Sequence, residues 1–123
     1  MKFRTTIAAA LTLLLSAAHG AAHDAKGANG GRVADAGEYH VELVAKNGTI
    51  DVFLSDHNDK VVASVGHKAL AILVIEGKSQ RIALEPAGAG RLSGKASGSL
   101  PVAPKGVVQI TRPNGKTVQA RFN

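Results

Sequence analysis

Hydrophobic and polar residues alternate with a period of two along much of the chain after residue 32. The alternation is clearest in residues 39–45 and 50–54, which are separated by Asn47-Gly48. Such alternation predicts half-buried strands, and Asn-Gly predicts a two-residue type I′ turn because both of its positions need positive φ. In the resulting hairpin every apolar pair falls on one face of the sheet. The predicted pairs are Ala45 with Ile50, Leu43 with Val52, and Val41 with Leu54.

Two further hairpins are predicted in the second half of the chain. A turn at Gly77-Lys78 joins residues 69–75 to residues 80–84. Near the C-terminus, a three-residue loop, Pro113-Asn114-Gly115, is favoured over a two-residue loop because it places apolar residues opposite each other. The predicted pairs are Leu73 with Ile82 and Ala71 with Leu84 in the first hairpin, and Ile110 with Val118 and Val108 with Ala120 in the second.

The fold class predicted by this pattern is all-β. Short strands near residues 32–34 and 91–95 bring the number of strands to seven or eight, with turn signals every 8–12 residues. This spacing is typical of an antiparallel, immunoglobulin-like sandwich. We therefore assign residues 32–123 to one β-sandwich domain. Residues 23–31 are small, polar and rich in glycine, and we expect them to form a flexible leader.

The first 22 residues have the organisation of a secretory signal peptide. Lys2 and Arg4 precede an apolar run over residues 7–15, and small residues follow over residues 16–22. The apolar run is too short to cross a bilayer as a helix, and no later stretch reaches the roughly 20 apolar residues that a span needs. The sequence therefore predicts an exported, periplasmic protein whose mature chain has no membrane span.

Composition excludes several kinds of partner and ligand. Removing Lys2 and Arg4 with the signal peptide lowers the formal net charge from +6 to +4. The remaining basic residues are scattered and only three aromatic residues remain, so nucleic acid is not an expected partner. The chain has no cysteine, and its one methionine is the first residue, which excludes thiolate and thioether ligands from the mature protein.

Imidazole and carboxylate side chains gather near one end of the first hairpin. His40 lies on the polar face, opposite Ser55, which directly precedes Asp56 and His57. Without sulfur ligands, a site formed by His40, Asp56 and His57 suits Cu(II), Zn(II), Ni(II) or Co(II) and is poor for Cu(I). The alternative is that His40 is solvated or paired with Glu42, and that residues 55–59 simply form a turn.

The signal-peptide junction offers a second possible metal ligand, His23. Cleavage after Ala22 makes His23 the first residue, cleavage after Gly20 makes it the third, and cleavage after Ala18 instead puts His19 first. A first-position histidine chelates through its amine and imidazole. A third-position histidine completes a square plane with the amine and two amides, which favours Cu(II) or Ni(II). The alternative is that a histidine at this junction has no special role.

Three stretches carry a resemblance to a group of known proteins: residues 29–44, residues 51–57 with the sequence DVFLSDH, and residues 84–92. They resemble small periplasmic proteins of proteobacteria, and are similar to N-terminal segments of periplasmic adaptor subunits in heavy-metal efflux systems. The resemblance runs from about residue 29 to residue 122, and GEYHVEL and LSDH are its most specific parts. It implies a periplasmic protein associated with metal efflux or tolerance. A metal-binding protein of this kind would have an efflux adaptor as its partner, and an interaction module would have another envelope protein.

Two functions from different classes follow. The first is a periplasmic metal-binding accessory protein for a divalent ion of the Cu(II) or Zn(II) type, with His23, His40, Asp56 and His57 as ligands. The second is a ligand-free interaction module that docks to an envelope protein through a sheet edge or an apolar patch. An enzyme is not expected, because consecutive residues such as Ser55, Asp56 and His57 project to different sides of an extended chain and cannot form a catalytic triad.

Overall fold

The computed structural model of the protein describes residues 25–123. This part of the chain forms nine antiparallel strands and contains no helix, so none that could cross a membrane. The antiparallel all-β class predicted from the sequence is confirmed. The predicted signal peptide and His23 lie outside the described residues. The strands are β1 (Ala25–Lys26), β2 (Arg32–Ala36), β3 (Tyr39–Lys46), β4 (Thr49–Ser55), β5 (Lys68–Ile75), β6 (Lys78–Gly88), β7 (Arg91–Lys95), β8 (Lys105–Thr111) and β9 (Thr117–Phe122).

The sandwich-like body is made by one curled sheet instead of two separate sheets. The strand order is β1-β2-β3-β4-β7-β6-β5-β8-β9. Strand β6 belongs to both halves of the sheet, because residues 78–84 pair with β5 and residues 85–88 pair with β7. A register shift between Pro86 and Gly88 lies in the second pairing, and such irregularities bend strands. The curl brings β2 into contact with β9.

Two of the three predicted hairpin registers are confirmed. The β3–β4 pairs agree with those predicted around Asn47-Gly48, and the β8–β9 pairs agree with those of the three-residue loop. The β5–β6 prediction is wrong by two residues, since Ala71 pairs with Ile82 and Leu73 with Gln80. The turn residues are Glu76 and Gly77, with φ of 52° and 76°. A glutamate at positive φ is uncommon, and for this reason the sequence pointed to the wrong turn.

The inward side chains of β2 to β9 form a single apolar core. A shift of two residues preserves the face on which a side chain lies. The predicted and the observed β5–β6 registers therefore place the same side chains in the core. Burial of each large aliphatic side chain stabilises the fold by about 1.5–3 kcal/mol. The largest fully buried apolar residues are Ile50, Leu54, Leu73, Leu84, Leu92, Ile110, Val41, Val52 and Val108.

Close packing of β8 against β5 requires a glycine at position 106. Gly106 pairs with Leu73 of β5 and with Phe122 of β9, and its φ is 149°. A Cβ atom built on Gly106 would overlap the backbone carbonyl oxygen of Ile72. Because that neighbour is backbone, it cannot move aside without breaking the sheet.

We predict that Gly106→Ala destabilises the fold more than Gly115→Ala does. Both glycines have positive φ, but a Cβ at Gly115 has no neighbouring atom within 4 Å in the described part of the chain. We expect the free energy of unfolding, measured by urea denaturation with far-UV circular dichroism, to fall by about 2 kcal/mol more for Gly106→Ala. Equal losses in the two variants would contradict the steric explanation.

Candidate functional site

One row of residues on the outer face of the sheet carries the candidate site. Asp35 of β2 pairs with His40 of β3, and His40 pairs with Ser55 of β4, as the sequence predicted for the latter pair. An isolated bridge then joins Ser55 to Val61. Residues directly opposite each other in a sheet project to the same face. The row therefore places Asp35, His40, Ser55 and Val61 side by side on the surface.

Asp56 shapes the loop that follows β4. Its Oδ1 accepts hydrogen bonds from the backbone N–H groups of Asn58, at 2.8 Å, and Lys60, at 3.0 Å. The backbone N–H of Asp56 in turn donates a hydrogen bond to the carbonyl oxygen of Lys60 at 2.8 Å. The N–H of Lys60 lowers the pKa of the Asp56 carboxyl below its ordinary value, with a smaller contribution from the N–H of Asn58. Asp59 has a φ of 60°, which completes the reversal of the chain direction in this loop. Asp56 thus has the turn-forming role that the composition of residues 55–59 indicated as the alternative to metal binding.

The folded loop brings His57 to His40. The Nδ1 atom of His57 lies 3.2 Å from Nε2 of His40, and the two rings meet edge to face at 78° with their centroids 5.0 Å apart. His57 is exposed, whereas the side chain of His40 is 29% exposed. The structure therefore brings together two of the predicted ligands.

Two carboxylates that the sequence analysis did not select flank this pair. Oδ1 of Asp35 lies 3.5 Å from Nε2 of His40, and Oδ1 of Asp59 lies 3.5 Å from Nδ1 of the same ring. The sequence does hold a signal for Asp35 as a neighbour of His40, because a two-residue turn at Gly37-Glu38 places these two residues opposite each other. Asp59 reaches His40 only through the folding of residues 56–60, for which the sequence holds no comparable signal.

The described residues supply two imidazoles to this site and not a complete set of metal ligands. Within residues 25–123, no group of three or more histidine, aspartate or glutamate side chains is arranged so that it could hold a metal ion. An open groove of about 1000 Å³ runs beside the pair, with His40, Asp35 and Asp59 among its lining residues. An ion held by these two imidazoles would therefore keep its remaining coordination positions open to water or to donors from another molecule.

Glu42 lies next to His40 on β3 but has a structural role. It is buried, and its carboxylate accepts the backbone N–H of Gly31 at 2.8 Å and that of Asn29 at 2.9 Å, together with the side-chain amide of Asn29. These bonds fix residues 27–31 against the sheet, and β1 pairs with β2 just before them. Residues 25–31 belong to the segment predicted as a flexible leader. In the structure they form a short strand and a turn that is held by hydrogen bonds to Glu42.

His67 is buried in a separate cluster with Tyr39, the residue that precedes His40 on β3. Its Nε2 lies 3.0 Å from the hydroxyl of Tyr39, and its Nδ1 lies 3.4 Å from the carbonyl oxygen of Val65. The guanidinium of Arg112 lies over the ring of Tyr39, 4.8 Å from its centroid. These contacts join β3 to the ends of β5 and β8, so His67 acts in packing.

Comparison of the chain with protein-family models, with curated proteins and with solved structures gives no match. The resemblance to periplasmic proteins of metal efflux therefore stays a prediction from the sequence. The features that bear on function are the row of residues on the outer face and the histidine pair within it.

We predict that Glu42→Gln loosens the turn over residues 27–31 without unfolding the sheet. The amide of glutamine would place an N–H group against the N–H donors of Asn29 and Gly31, at a cost of about 1–3 kcal/mol. Hydrogen exchange should then accelerate at Asn29 and Gly31 and stay unchanged in β5. The exposed Glu38→Gln is the matched control, and unchanged exchange in Glu42→Gln would contradict the role given to Glu42.

We predict that the loop over residues 56–60 loosens in acid as the Asp56 carboxylate is protonated. Because the pKa of Asp56 is lower in the fold than in the unfolded chain, its contribution is complete above about pH 3.9 and is lost as pH falls through the folded value. The amide NMR signals of Asn58 and Lys60 should titrate together with a midpoint below about 3.9. Asp56→Asn, which keeps an acceptor oxygen, should abolish that titration. A midpoint above the ordinary value would contradict the assignment.

Proposed function

We propose that the protein is a periplasmic metal-binding accessory protein that binds a divalent ion of the Cu(II) or Zn(II) type through His40 and His57. The observation that carries this proposal is the separation of 3.2 Å between Nε2 of His40 and Nδ1 of His57. Imidazole is the nitrogen ligand that suits Zn(II) and Cu(II), and it binds in its neutral form.

The separation of the two nitrogens fits two ligands of one ion. At a metal–nitrogen distance of about 2.0–2.1 Å, two ligands in a tetrahedral site lie about 3.3–3.4 Å apart, and adjacent ligands in a square plane lie about 2.9 Å apart. The observed 3.2 Å lies between these values. An ion can therefore replace the contact between the two rings with little movement of the backbone.

The carboxylates of Asp35 and Asp59 add negative charge and hydrogen-bond acceptors beside His40. A histidine that binds a metal through one ring nitrogen commonly directs its other N–H at a carboxylate, which fixes the tautomer and makes the imidazole a better ligand. Asp59 lies on the Nδ1 side of His40, while Nε2 faces His57 and Asp35. The negative charge of these two carboxylates would also offset the charge of a divalent ion.

An open, exposed site suits an accessory protein that takes up an ion and passes it on. An ion with only two protein ligands keeps open coordination positions. A receiving protein can bind the ion at these positions before the first protein releases it. Metal tolerance or efflux is the setting that the resemblance in the sequence implies, and an efflux adaptor is the partner we propose. The proposal is one of binding and transfer, not of catalysis.

The second candidate function, a ligand-free interaction module, is supported by a different observation. Val61 and Val65 are 68% and 79% exposed, and they lie beside Pro86 and Ala89 along a shallow apolar groove. Exposed apolar side chains grouped in this way are typical of protein contact surfaces. This function requires no contribution from His40 or His57.

We predict that His40→Ala/His57→Ala weakens Zn(II) and Cu(II) binding at least about 100-fold, because loss of a residue that only supports a ligand already costs 10–100-fold. Binding is measured by calorimetric titration of untagged protein carrying His19→Ala and His23→Ala, so that neither histidine of the signal-peptide junction contributes. Asp59→Asn should weaken binding about 10-fold.

The matched control is Asp51→Asn. Asp51 is a carboxylate of the same hairpin, paired with Arg91 at 3.5 Å and located four residues along β4 from Ser55. It should leave the affinity unchanged. Unaltered metal affinity in the double variant would exclude the proposed site and favour the interaction module, and complete loss of binding on His23→Ala alone would assign the ion to the leader.

A further inference from the structure

The histidine pair lies on a surface that a second copy of the chain could meet directly. Residues 57–61 are all exposed, and Asp35, at the other end of the row, has an exposed side chain as well. Each chain offers two imidazole nitrogens and lacks a third grouped donor within its described residues. A tetrahedral Zn(II) site takes four protein ligands.

We propose that Zn(II) joins two copies of this protein through His40 and His57 of each, so that four imidazole nitrogens surround one ion on a twofold axis. This inference rests on the proposed function, because it uses the same histidine pair. Closed twofold contacts are the commonest arrangement of identical subunits, and in them each residue meets the same surface on the other copy. The twofold axis completes the coordination that one chain leaves open.

The charges of the surface make this association depend on the metal. Asp35 and Asp59 flank the pair, Lys60 lies within the loop, and Lys26 and Arg121 line the groove beside it. Two copies that approach through the pair itself bring the carboxylates of Asp35 and Asp59 toward those of the other copy, which opposes contact without an ion. A divalent ion between them offsets that repulsion and supplies the bonds that hold the copies together.

Apolar side chains beside the site provide the contact area that a joined pair needs. Val61 ends the row that contains His40 and is 68% exposed, with Val65 and Ala89 near it along the shallow groove. Residues 61–66 and 86–90 contain no charged side chain. An uncharged surface next to the ion lets the two copies approach without further electrostatic cost.

The test is the mass and metal content of the untagged protein as Zn(II) is added. Light scattering after size-exclusion chromatography should show a monomer with EDTA and a doubled mass with Zn(II), and native mass spectrometry should count one ion per two chains. Val61→Lys adds charge to the contact but removes no ligand, so it should keep the protein monomeric with Zn(II) bound. Val102→Lys, at a valine that is 94% exposed in a different loop, is the matched control and should still dimerise.

The outcomes separate this inference from the proposed function. One ion bound per monomer, with no doubling of mass, would overturn the shared site and leave the proposed function standing. Absence of any bound ion would overturn both. Dimerisation that persists in His40→Ala/His57→Ala, or that is lost in His23→Ala alone, would also overturn the shared site because the bridging ligands would then lie elsewhere.

Discussion

The pairing register of β3 with β4 is the constraint on which the rest of the site depends. It aligns Val41, Leu43 and Ala45 with Leu54, Val52 and Ile50 on the inner face, and by alternation it sends His40 to the outer face. A slip of one residue would exchange the two faces and bury His40 in the core. The same aliphatic contacts that stabilise the fold therefore also fix the position of a surface imidazole on the opposite face of the sheet.

The residues of the site reach His40 through three local structures, which span increasing separations along the chain. The short turn at Gly37-Glu38 places Asp35 beside His40, the longer hairpin places Ser55 on the other side, and the hydrogen bonds of Asp56 then return His57 and Asp59 over the strand end. Each of these structures uses only local backbone geometry. Asp56 thus contributes to the site indirectly, by ordering the loop, and its carboxylate is engaged with backbone N–H groups.

Most of the strand pattern was predictable from the sequence because strands follow alternation and two of the three hairpin turns have residues suited to their geometry. The β5–β6 turn escaped prediction because Glu76 takes a backbone conformation that favours glycine or asparagine. The curl of the sheet about β6 depends on pairing between distant segments, which local patterns do not encode. The outward position of His40 followed from alternation, but the contacts of Asp35 and Asp59 required the folded loop and the pairing of β2.

The exposure of the histidine pair is consistent with the binding and release of an ion that we propose for this surface. A site enclosed within the core would hold an ion with four ligands and exclude competitors, whereas His57 is exposed and His40 is only partly covered. The two rings contact each other, and His40 also lies 3.5 Å from Asp35 and from Asp59, so neither imidazole of this pair is without a partner. Affinity is then determined by how many further ligands approach from outside. In the function that we propose, such a site exchanges its ion through contact with another protein surface, and the open coordination that limits its affinity also permits transfer.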